Sequence, residues 1–293
     1  MKTLKNLFRL MRPTQWIKNG FVFMPLIFSA RLTSFDDVVS VTVIFFSFCL
    51  ASSATYILND YADMEQDRVH PLKKKRPLAS GDLSVPTALG SMVVLIAASF
   101  LLAAAVEAPP TCYFFLATYM VLHVLYTFKL KDVVILDVLV ISTGFLFRVL
   151  AGASVISVGV SSWLIMCTFS VAILLALGKR RHEIVILCDD AVCHRPVLEN
   201  YSVSLLDQLL QVVTTSTFIF YCLYSVRGNP AMGVEAEKMM FTIPIVTYGI
   251  FRYMYLIYHR EDGGSPTAML LTDPPLLACT IVWLVACIGI IYL

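Results

Sequence analysis

Long apolar runs separated by short polar stretches fill most of the chain after residue 15. An α-helix needs about 20 apolar residues to cross roughly 30 Å of hydrocarbon, and each run has that length or nearly so. The first run is the weakest, because it is short and is interrupted by Lys18 and Pro25. The pattern predicts nine transmembrane helices, at about residues 16–31, 38–59, 86–106, 111–128, 133–155, 161–178, 204–225, 239–258 and 275–293.

Residues 1–15 mix apolar and basic side chains instead of forming an apolar run. They predict an amphipathic helix that lies at the membrane surface with its cations toward the headgroups. No second soluble domain remains, so residues 1–293 are interpreted as a single transmembrane domain with cytoplasmic cap loops. The side chains expected to face lipid are Leu4, Leu7, Phe8, Leu10 and Met11.

The composition supports an all-α polytopic membrane protein. Hydrophobic residues make up 58% of the chain and charged residues only 14%, with a mean hydropathy of +0.79, which is too apolar for a soluble globule. Lys and Arg concentrate before the first span and after every second one, which predicts a cytoplasmic N-terminus in the inner membrane. No nucleic-acid partner is expected, and self-association into a homo-oligomer stays open.

An acidic cluster ends the second predicted span. On one continuous helix, Asp60, Asp63 and Asp67 would fall within about 60° of one another and share a face. Three carboxylates repel one another unless a cation lies between them, and Mg²⁺ is the natural oxygen-liganded candidate. Mg²⁺ completes its shell with substrate phosphates, so the cluster predicts a diphosphate site. The alternative is a solvated acidic helix end.

A basic stretch follows the acidic cluster and favours the functional interpretation, since neighbouring anionic and cationic patches can hold a metal and the phosphate it bridges. Lys73 to Arg76 carry this charge. The pattern Asn59-Asp60-x-x-Asp63-x-x-x-Asp67, followed by Arg76-Pro-Leu-Ala-Ser-Gly81, resembles the first signature of the UbiA superfamily of intramembrane prenyltransferases. The resemblance implies catalytic carboxylates at Asp60, Asp63 and Asp67.

The sequence departs from the usual second signature of that superfamily, an aspartate pair after the sixth helix. The matching position carries Gly178-Lys179-Arg180-x-x-Glu183, and Asp189 and Asp190 are adjacent instead of four apart. Such cations are either simple membrane anchors or donors for a lipid monophosphate, which needs no metal. The motif resembles the branch that makes decaprenylphosphoryl-5-phosphoribose, a precursor of cell-wall arabinan.

That resemblance implies phosphoribosyl pyrophosphate as the donor and a polyprenyl phosphate as the acceptor, with Mg²⁺ as the cofactor. Arg12-Pro-x-Gln-Trp-x-Lys18-Asn19 also agrees with it. In UbiA relatives a Tyr and a Lys between the fourth and fifth spans contact the diphosphate, and here the choice between Lys129 and Lys131 stays open. Arg148, inside the fifth span, either forms a structural pair or contacts substrate. The expected substrate-binding residues are Asn59, Lys18, Lys73, Arg76, Tyr126, Lys129, Lys131, Arg148, Lys179, Arg180 and Glu183.

Two alternatives remain at this point. An aromatic prenyltransferase would use a prenyl diphosphate donor, but it would usually carry the second aspartate pair that is absent here. A transporter of an anionic solute would carry its charges near the membrane midplane, whereas these motifs cluster at one face.

Overall fold

The structure is a computed structural model that describes residues 2–69, 73–187, 196–227, 236–259 and 266–293. Helices and turns account for the described residues, and no strand occurs among them. In chain order, the α-helices are α1 (Lys2–Met11), α2 (Met24–Phe28), α3 (Phe35–Ala62), α4 (Met64–Val69), α5 (Val85–Ala105), α6 (Pro110–Phe128), α7 (Leu136–Val155), α8 (Ser162–Leu187), α9 (Val203–Arg227), α10 (Ile243–His259), α11 (Pro266–Thr272) and α12 (Pro274–Tyr292). Short 3-10 helices, of which the longest is Pro13–Phe23, connect them.

Eight helices in the described part of the chain are long and apolar enough to cross a membrane: α3, α5, α6, α7, α8, α9, the Lys238–His259 segment that contains α10, and α12. They match eight of the nine predicted spans to within three residues at each end, except that α8 continues to Leu187, nine residues beyond the predicted end at 178. The predicted first span, 16–31, is different. It consists of the 3-10 helix Pro13–Phe23 and the five-residue α2, neither of which is long enough alone. Pro13 is the first residue of the 3-10 helix and Pro25 is the second residue of α2, and proline lacks the N–H that a continuing helix needs.

The chain divides into two compact units. Unit 1 comprises residues 1–24, 34–140 and 147–157, and unit 2 comprises residues 25–33, 141–146 and 158–293. The single domain expected for residues 1–293 stays a prediction.

In unit 1, α3 is the central helix and packs on α5, α6, α1 and the 3-10 helix Pro13–Phe23. The Ser34 hydroxyl caps its N-terminus by accepting a hydrogen bond from the Asp37 N–H, and Asp36 and Asp37 complement the helix dipole. Both α5 and α6 expose large apolar side chains, among them Val93, Leu101, Phe114 and Val121. Exposed side chains of this kind are suited to lipid contact.

α1 is amphipathic, as predicted, but its apolar side chains do not all face outward. Leu4 and Phe8 are exposed. Leu10 is buried with Ile57, Leu78 and Leu83, and the expectation that it faces lipid is wrong. The reason is that α1 packs against α3, so its last turn lies inside unit 1.

In unit 2, α8 packs along α9, while α10 packs on α12. Gly178 in α8 permits a close approach of α10, because a Cβ at this position would lie 2.6 Å from the Tyr253 hydroxyl. Asp273 caps α12 and also binds Arg252, whose Nη2 lies 2.7 Å from the Asp273 Oδ2. Arg252 is therefore a partner of a helix cap.

Candidate functional site

The three carboxylates of the acidic cluster lie where α3 gives way to α4. Asp60 is in the last turn of α3, Asp63 is the residue after that helix ends, and Asp67 is in α4. The continuous helix assumed from the sequence is therefore wrong, because it is broken at Asp63, whose φ of −91° and ψ of 4° are not helical. The Asn59 amide donates to the Asp63 carboxylate at 2.9 Å, an i,i+4 side-chain pair that holds this carboxylate beside the last turn of α3.

Asp60 and Asp67 share one guanidinium. Arg76 Nη1 lies 3.0 Å from the Asp60 Oδ1 and 2.5 Å from the Asp67 Oδ2. Arg12 also binds Asp60 through its Nη2. Both carboxylates are 2% exposed, and burial of an anion is tolerated only with such partners.

Asp63 has a separate cation. Lys131 Nζ lies 2.5 Å from the Asp63 Oδ1, and Lys131 belongs to the short 3-10 helix that follows α6. Lys129 is exposed at the end of α6. Of the two lysines that the sequence left open, the structure thus brings Lys131 to the carboxylates. The partly buried Tyr126 lies a turn earlier in α6, with its ring 6.3 Å from that of His123.

A basic pocket opens beside Asp60. Its volume is about 260 Å³, and its walls carry five cationic side chains and one carboxylate. Lys73 and Arg76 were expected at the site and Lys75 belongs to the basic stretch predicted beside it, whereas Arg9 and Arg12 were missed. Arg12 follows α1 with a left-handed backbone, φ 52° and ψ 60°, and from there its side chain reaches Asp60. The lining residues are Arg9, Arg12, Asp60, Lys73, Lys75, Arg76 and Pro77.

A second polar group of unit 1 surrounds Arg148 in α7, which is 4% exposed. Its Nε donates to the Asn19 Oδ1 at 2.6 Å, and its Nη2 donates to the Tyr119 hydroxyl at 3.0 Å. Lys18 is next to Asn19 and lies outside the eight spans. Burial, and after it the positive charges of Arg148 and Arg12, lowers the pKa of Lys18 from 10.5 to about 8.

Unit 2 carries the cations of the other predicted motif, all near the end of α8. Arg180 is 1% exposed and binds Glu183, whose other oxygen lies 3.6 Å from the Lys179 Nζ. Arg181 binds Asp207 at 2.6 Å and stacks on the Tyr258 ring at 4.2 Å. Asp189 and Asp190 fall outside the described residues.

The donor atoms of the acidic cluster suit a hard metal ion, although cations of the protein hold the carboxylates in this structure. Among the described residues, no three His, Cys, Asp or Glu side chains converge as a ready metal site. Asp60 and Asp67 nevertheless already share one positive charge at Arg76. Carboxylate oxygens are the ligands that Mg²⁺ prefers, so the cluster fits this ion in place of the guanidinium.

Comparison with known proteins agrees with this geometry. The model of the UbiA prenyltransferase family matches residues 21–279. A Mycolicibacterium smegmatis protein named decaprenyl-phosphate phosphoribosyltransferase is 31% identical over 294 residues, covering 96% of this chain and 91% of the relative. A Corynebacterium glutamicum protein of the same name is 28% identical over 285 residues, covering 97% of this chain and 86% of the relative.

The fold has a solved counterpart in a UbiA homolog from Archaeoglobus fulgidus bound to GPP and Mg²⁺. The two superpose with a TM-score of 0.74 at 18% identity, over 98% of this chain and 100% of the other. At that identity the superposition shows a shared fold. Together with the family match over most of the chain, it establishes that the protein belongs to the UbiA prenyltransferase family.

Proposed function

We propose that the protein transfers a 5-phosphoribosyl group from phosphoribosyl pyrophosphate to a polyprenyl phosphate, with Mg²⁺ as the cofactor, and releases diphosphate. The observation that carries the proposal is the buried carboxylates Asp60 and Asp67 with their cations, directly beside the basic pocket. The donor carries a diphosphate, which suits metal-binding carboxylates, and a separate 5-phosphate, which suits the basic pocket. The names of the relatives and the Mg²⁺ in the solved homolog support the same reaction.

The donor would be held by two kinds of group. Asp60, Asp63 and Asp67 would bind Mg²⁺, which when bound neutralises charge on the departing diphosphate. Arg12, Arg76 and Lys131 would then be released from the carboxylates to bind phosphate oxygens, since charge-assisted hydrogen bonds to phosphate are strong. Lys73, in the wall of the basic pocket, is suited to the 5-phosphate.

The chemical step needs alignment more than a base. An oxygen of the lipid phosphate, anionic at neutral pH, forms a bond to C1 of the ribose as the bond from C1 to the diphosphate breaks. The electron pair of the broken bond leaves with the diphosphate, and C1 has oxocarbenium character in between, as in other glycosyl transfers. The residues contribute by positioning the two phosphates and by stabilising the leaving group electrostatically.

Two further assignments remain predictions from the sequence. Lys179 and Arg180, with Glu183, would hold the lipid phosphate. The distribution of Lys and Arg would place the site at the cytoplasmic face of the inner membrane, with the N-terminus inside.

Prenyl transfer to an aromatic acceptor is the second candidate, because the solved homolog of the same fold binds GPP, a prenyl diphosphate. The test incubates purified protein in detergent with labelled phosphoribosyl pyrophosphate and polyprenyl phosphate, with Mg²⁺ or with EDTA. A parallel reaction contains GPP and a hydroxybenzoate. We expect phosphoribosyl lipid only with Mg²⁺, and prenylated hydroxybenzoate instead would refute the proposal.

Substitution of the carboxylates tests the same proposal. We expect Asp60→Asn and Asp63→Asn to lower turnover at least a hundredfold, because each loses a metal-binding charge. Asp36→Asn is the matched control, since Asp36 is an exposed aspartate in the first turn of the same helix. Size-exclusion profiles would confirm that the variants are folded, and near-normal activity in Asp60→Asn would rule out the proposed role.

A further inference from the structure

The inference concerns one side of α1, formed by Leu4, Lys5, Phe8 and Arg9 and here called the α1 outer face. We propose that the α1 outer face binds an anionic phospholipid, and that the phosphate of this lipid competes with the donor for Arg9. The competition rests on the proposed function, whereas the binding of the lipid does not depend on it.

The opposite side of α1 is fixed to unit 1. Leu10 is buried in a cluster with Ile57, and Leu7 packs against the same cluster. The Asn6 amide donates to the Asp82 carbonyl oxygen at 3.3 Å, just before α5 begins. These contacts fix the rotation of α1 about its own axis, and they turn the α1 outer face away from the helices on which α1 packs.

An apolar stripe and a basic stripe lie side by side on the α1 outer face. Leu4 and Phe8 are four residues apart on one stripe, and they are 73% and 58% exposed. Lys5 and Arg9 are also exposed, and each follows one of these residues directly, so their stripe lies about 100° farther round the helix. A helix in the interface inserts its apolar side chains below the headgroups and keeps its cations at the level of the phosphates. The two stripes therefore fit a molecule with acyl chains and a phosphate.

The charge of the α1 outer face selects an anionic lipid over a zwitterionic one. α1 contains no Asp or Glu, and neither Lys5 nor Arg9 forms an ion pair with any residue that the structure describes. The positive charge continues at Lys74 and Lys75, which are exposed on the short 3-10 helix Lys73–Lys75. Clustered basic residues are attracted to anionic lipids, whereas a zwitterionic headgroup carries an ammonium group that offsets its phosphate.

Arg9 belongs to the α1 outer face and to the basic pocket at the same time. It is exposed in the last turn of α1, and it lines the pocket together with Asp60 and Arg76. A guanidinium that binds a lipid phosphate has fewer N–H groups left for a phosphate in the pocket. The two anions would also repel each other, since the pocket is only about 260 Å³ in volume. The lipid should therefore act as a competitor of the donor.

The first test measures lipid binding without catalysis. Full-length protein in detergent is titrated with short-chain phosphatidylglycerol, in the absence of the donor and of Mg²⁺. Short-chain phosphatidylcholine is the zwitterionic probe, and glycerol 3-phosphate is the free phosphate without acyl chains. We expect phosphatidylglycerol to bind about tenfold more tightly than either of them.

A double variant assigns this preference to α1. Lys5→Gln/Arg9→Gln should bind phosphatidylglycerol no better than phosphatidylcholine. Arg31→Gln/Lys238→Gln is the matched control, because it removes two exposed cations from unit 2, and it should keep the preference of the wild type. Melting temperatures of all three proteins show whether the variants are folded.

The second test measures the competition in nanodiscs of phosphatidylcholine with or without phosphatidylglycerol. We expect phosphatidylglycerol to raise the KM for phosphoribosyl pyrophosphate about threefold in the wild type and in the control variant, with kcat unchanged. An anionic surface also repels the donor without any contact to Arg9, and salt screens that repulsion. The rise should therefore be smaller in Lys5→Gln/Arg9→Gln, and the difference should persist at high salt.

The outcomes separate a lipid from a free phosphate and the inference from the proposed function. Equal affinity for the two phospholipids would overturn the inference, as would a preference that Lys5→Gln/Arg9→Gln retains. Glycerol 3-phosphate that binds as tightly as phosphatidylglycerol would assign the cations to a free phosphate, which also overturns it. An equal rise of KM in the wild type and the double variant would contradict the competition. Lipid binding at α1 without any phosphoribosyl transfer would refute the proposed function and leave the lipid site in place.

Discussion

At the scale of single residues, Asp60 and Asp63 lie three positions apart but depend on cations from different parts of the chain. Arg12 and Arg76 bind Asp60, while Lys131 binds Asp63. Each carboxylate is thus neutralised before any substrate binds. Substitution of one of these cations should therefore change substrate affinity while the other two cations stay bound to their carboxylates.

Lys131→Met tests this separation. We expect the KM for the donor to rise about tenfold, or about 1.4 kcal/mol, which is within the range of a hydrogen bond to a charged group. The Mg²⁺ concentration needed for half-maximal rate should not rise, because removal of Lys131 leaves Asp63 with more negative charge to offer.

Lys129→Met is the matched control, with the same change of charge two residues earlier at an exposed position. Steady-state kinetics at varied donor and Mg²⁺ measure both effects. Equal loss in the two variants would mean that the Lys131 contact with Asp63 is irrelevant to donor binding.

At the scale of elements, the 3-10 helix Pro13–Phe23 carries the residues that join α1 to the deeper part of unit 1. Trp16 Nε1 donates to the Ser53 hydroxyl at 3.0 Å, and Val22 packs against Gly152 of α7. The close approach of two backbones at Gly152 fixes this element against its neighbours. A side chain at that position would have to displace a backbone carbonyl.

Gly152→Ala should therefore destabilise the protein. The added Cβ would lie 2.1 Å from the Val22 oxygen, and we expect a cost of about 1–3 kcal/mol for such overpacking. Thermal unfolding in detergent measures it as a melting temperature lower by several degrees.

Gly90→Ala is the matched control, because a Cβ at Gly90 in α5 meets nothing within 4 Å. It should leave the melting temperature unchanged or raise it, since alanine favours helix over glycine. A Gly152→Ala protein as stable as the wild type would show that Val22 can move.

At the scale of the whole molecule, the sequence predicted most of the membrane-spanning helices, but it did not predict which charged side chains pair with one another. Apolar runs identified eight helices, because a helix that crosses the hydrocarbon core needs about 20 consecutive apolar residues and such a run is visible in the sequence itself. The carboxylates were found from their spacing, whereas the break at Asp63 between α3 and α4 was not, because no proline or glycine marks it in the sequence. Arg12 was missed as a site residue because its contact with Asp60 spans 48 residues and follows from a left-handed backbone that no pattern marks.

Ligand binding should be visible in the stability of the entire protein. Mg²⁺ with diphosphate at about 100 times the dissociation constant would stabilise the folded state by about 2.7 kcal/mol, so the melting temperature should rise by several degrees. EDTA should abolish the rise.

The same measurement on Asp60→Asn and Asp36→Asn assigns the effect to the site. The first variant should show no rise, and the second should respond as the wild type does. An equal rise in both variants would locate the binding of Mg²⁺ and diphosphate elsewhere.

The contact between Arg12 and Asp60 has a practical consequence for handling the protein. Leu10 in the last turn of α1 is buried, and Arg12, the residue that follows α1, binds Asp60, so α1 is directly connected to the candidate site. We expect an affinity tag fused ahead of α1, or a detergent that loosens this helix, to impair turnover even when the rest of the protein stays folded.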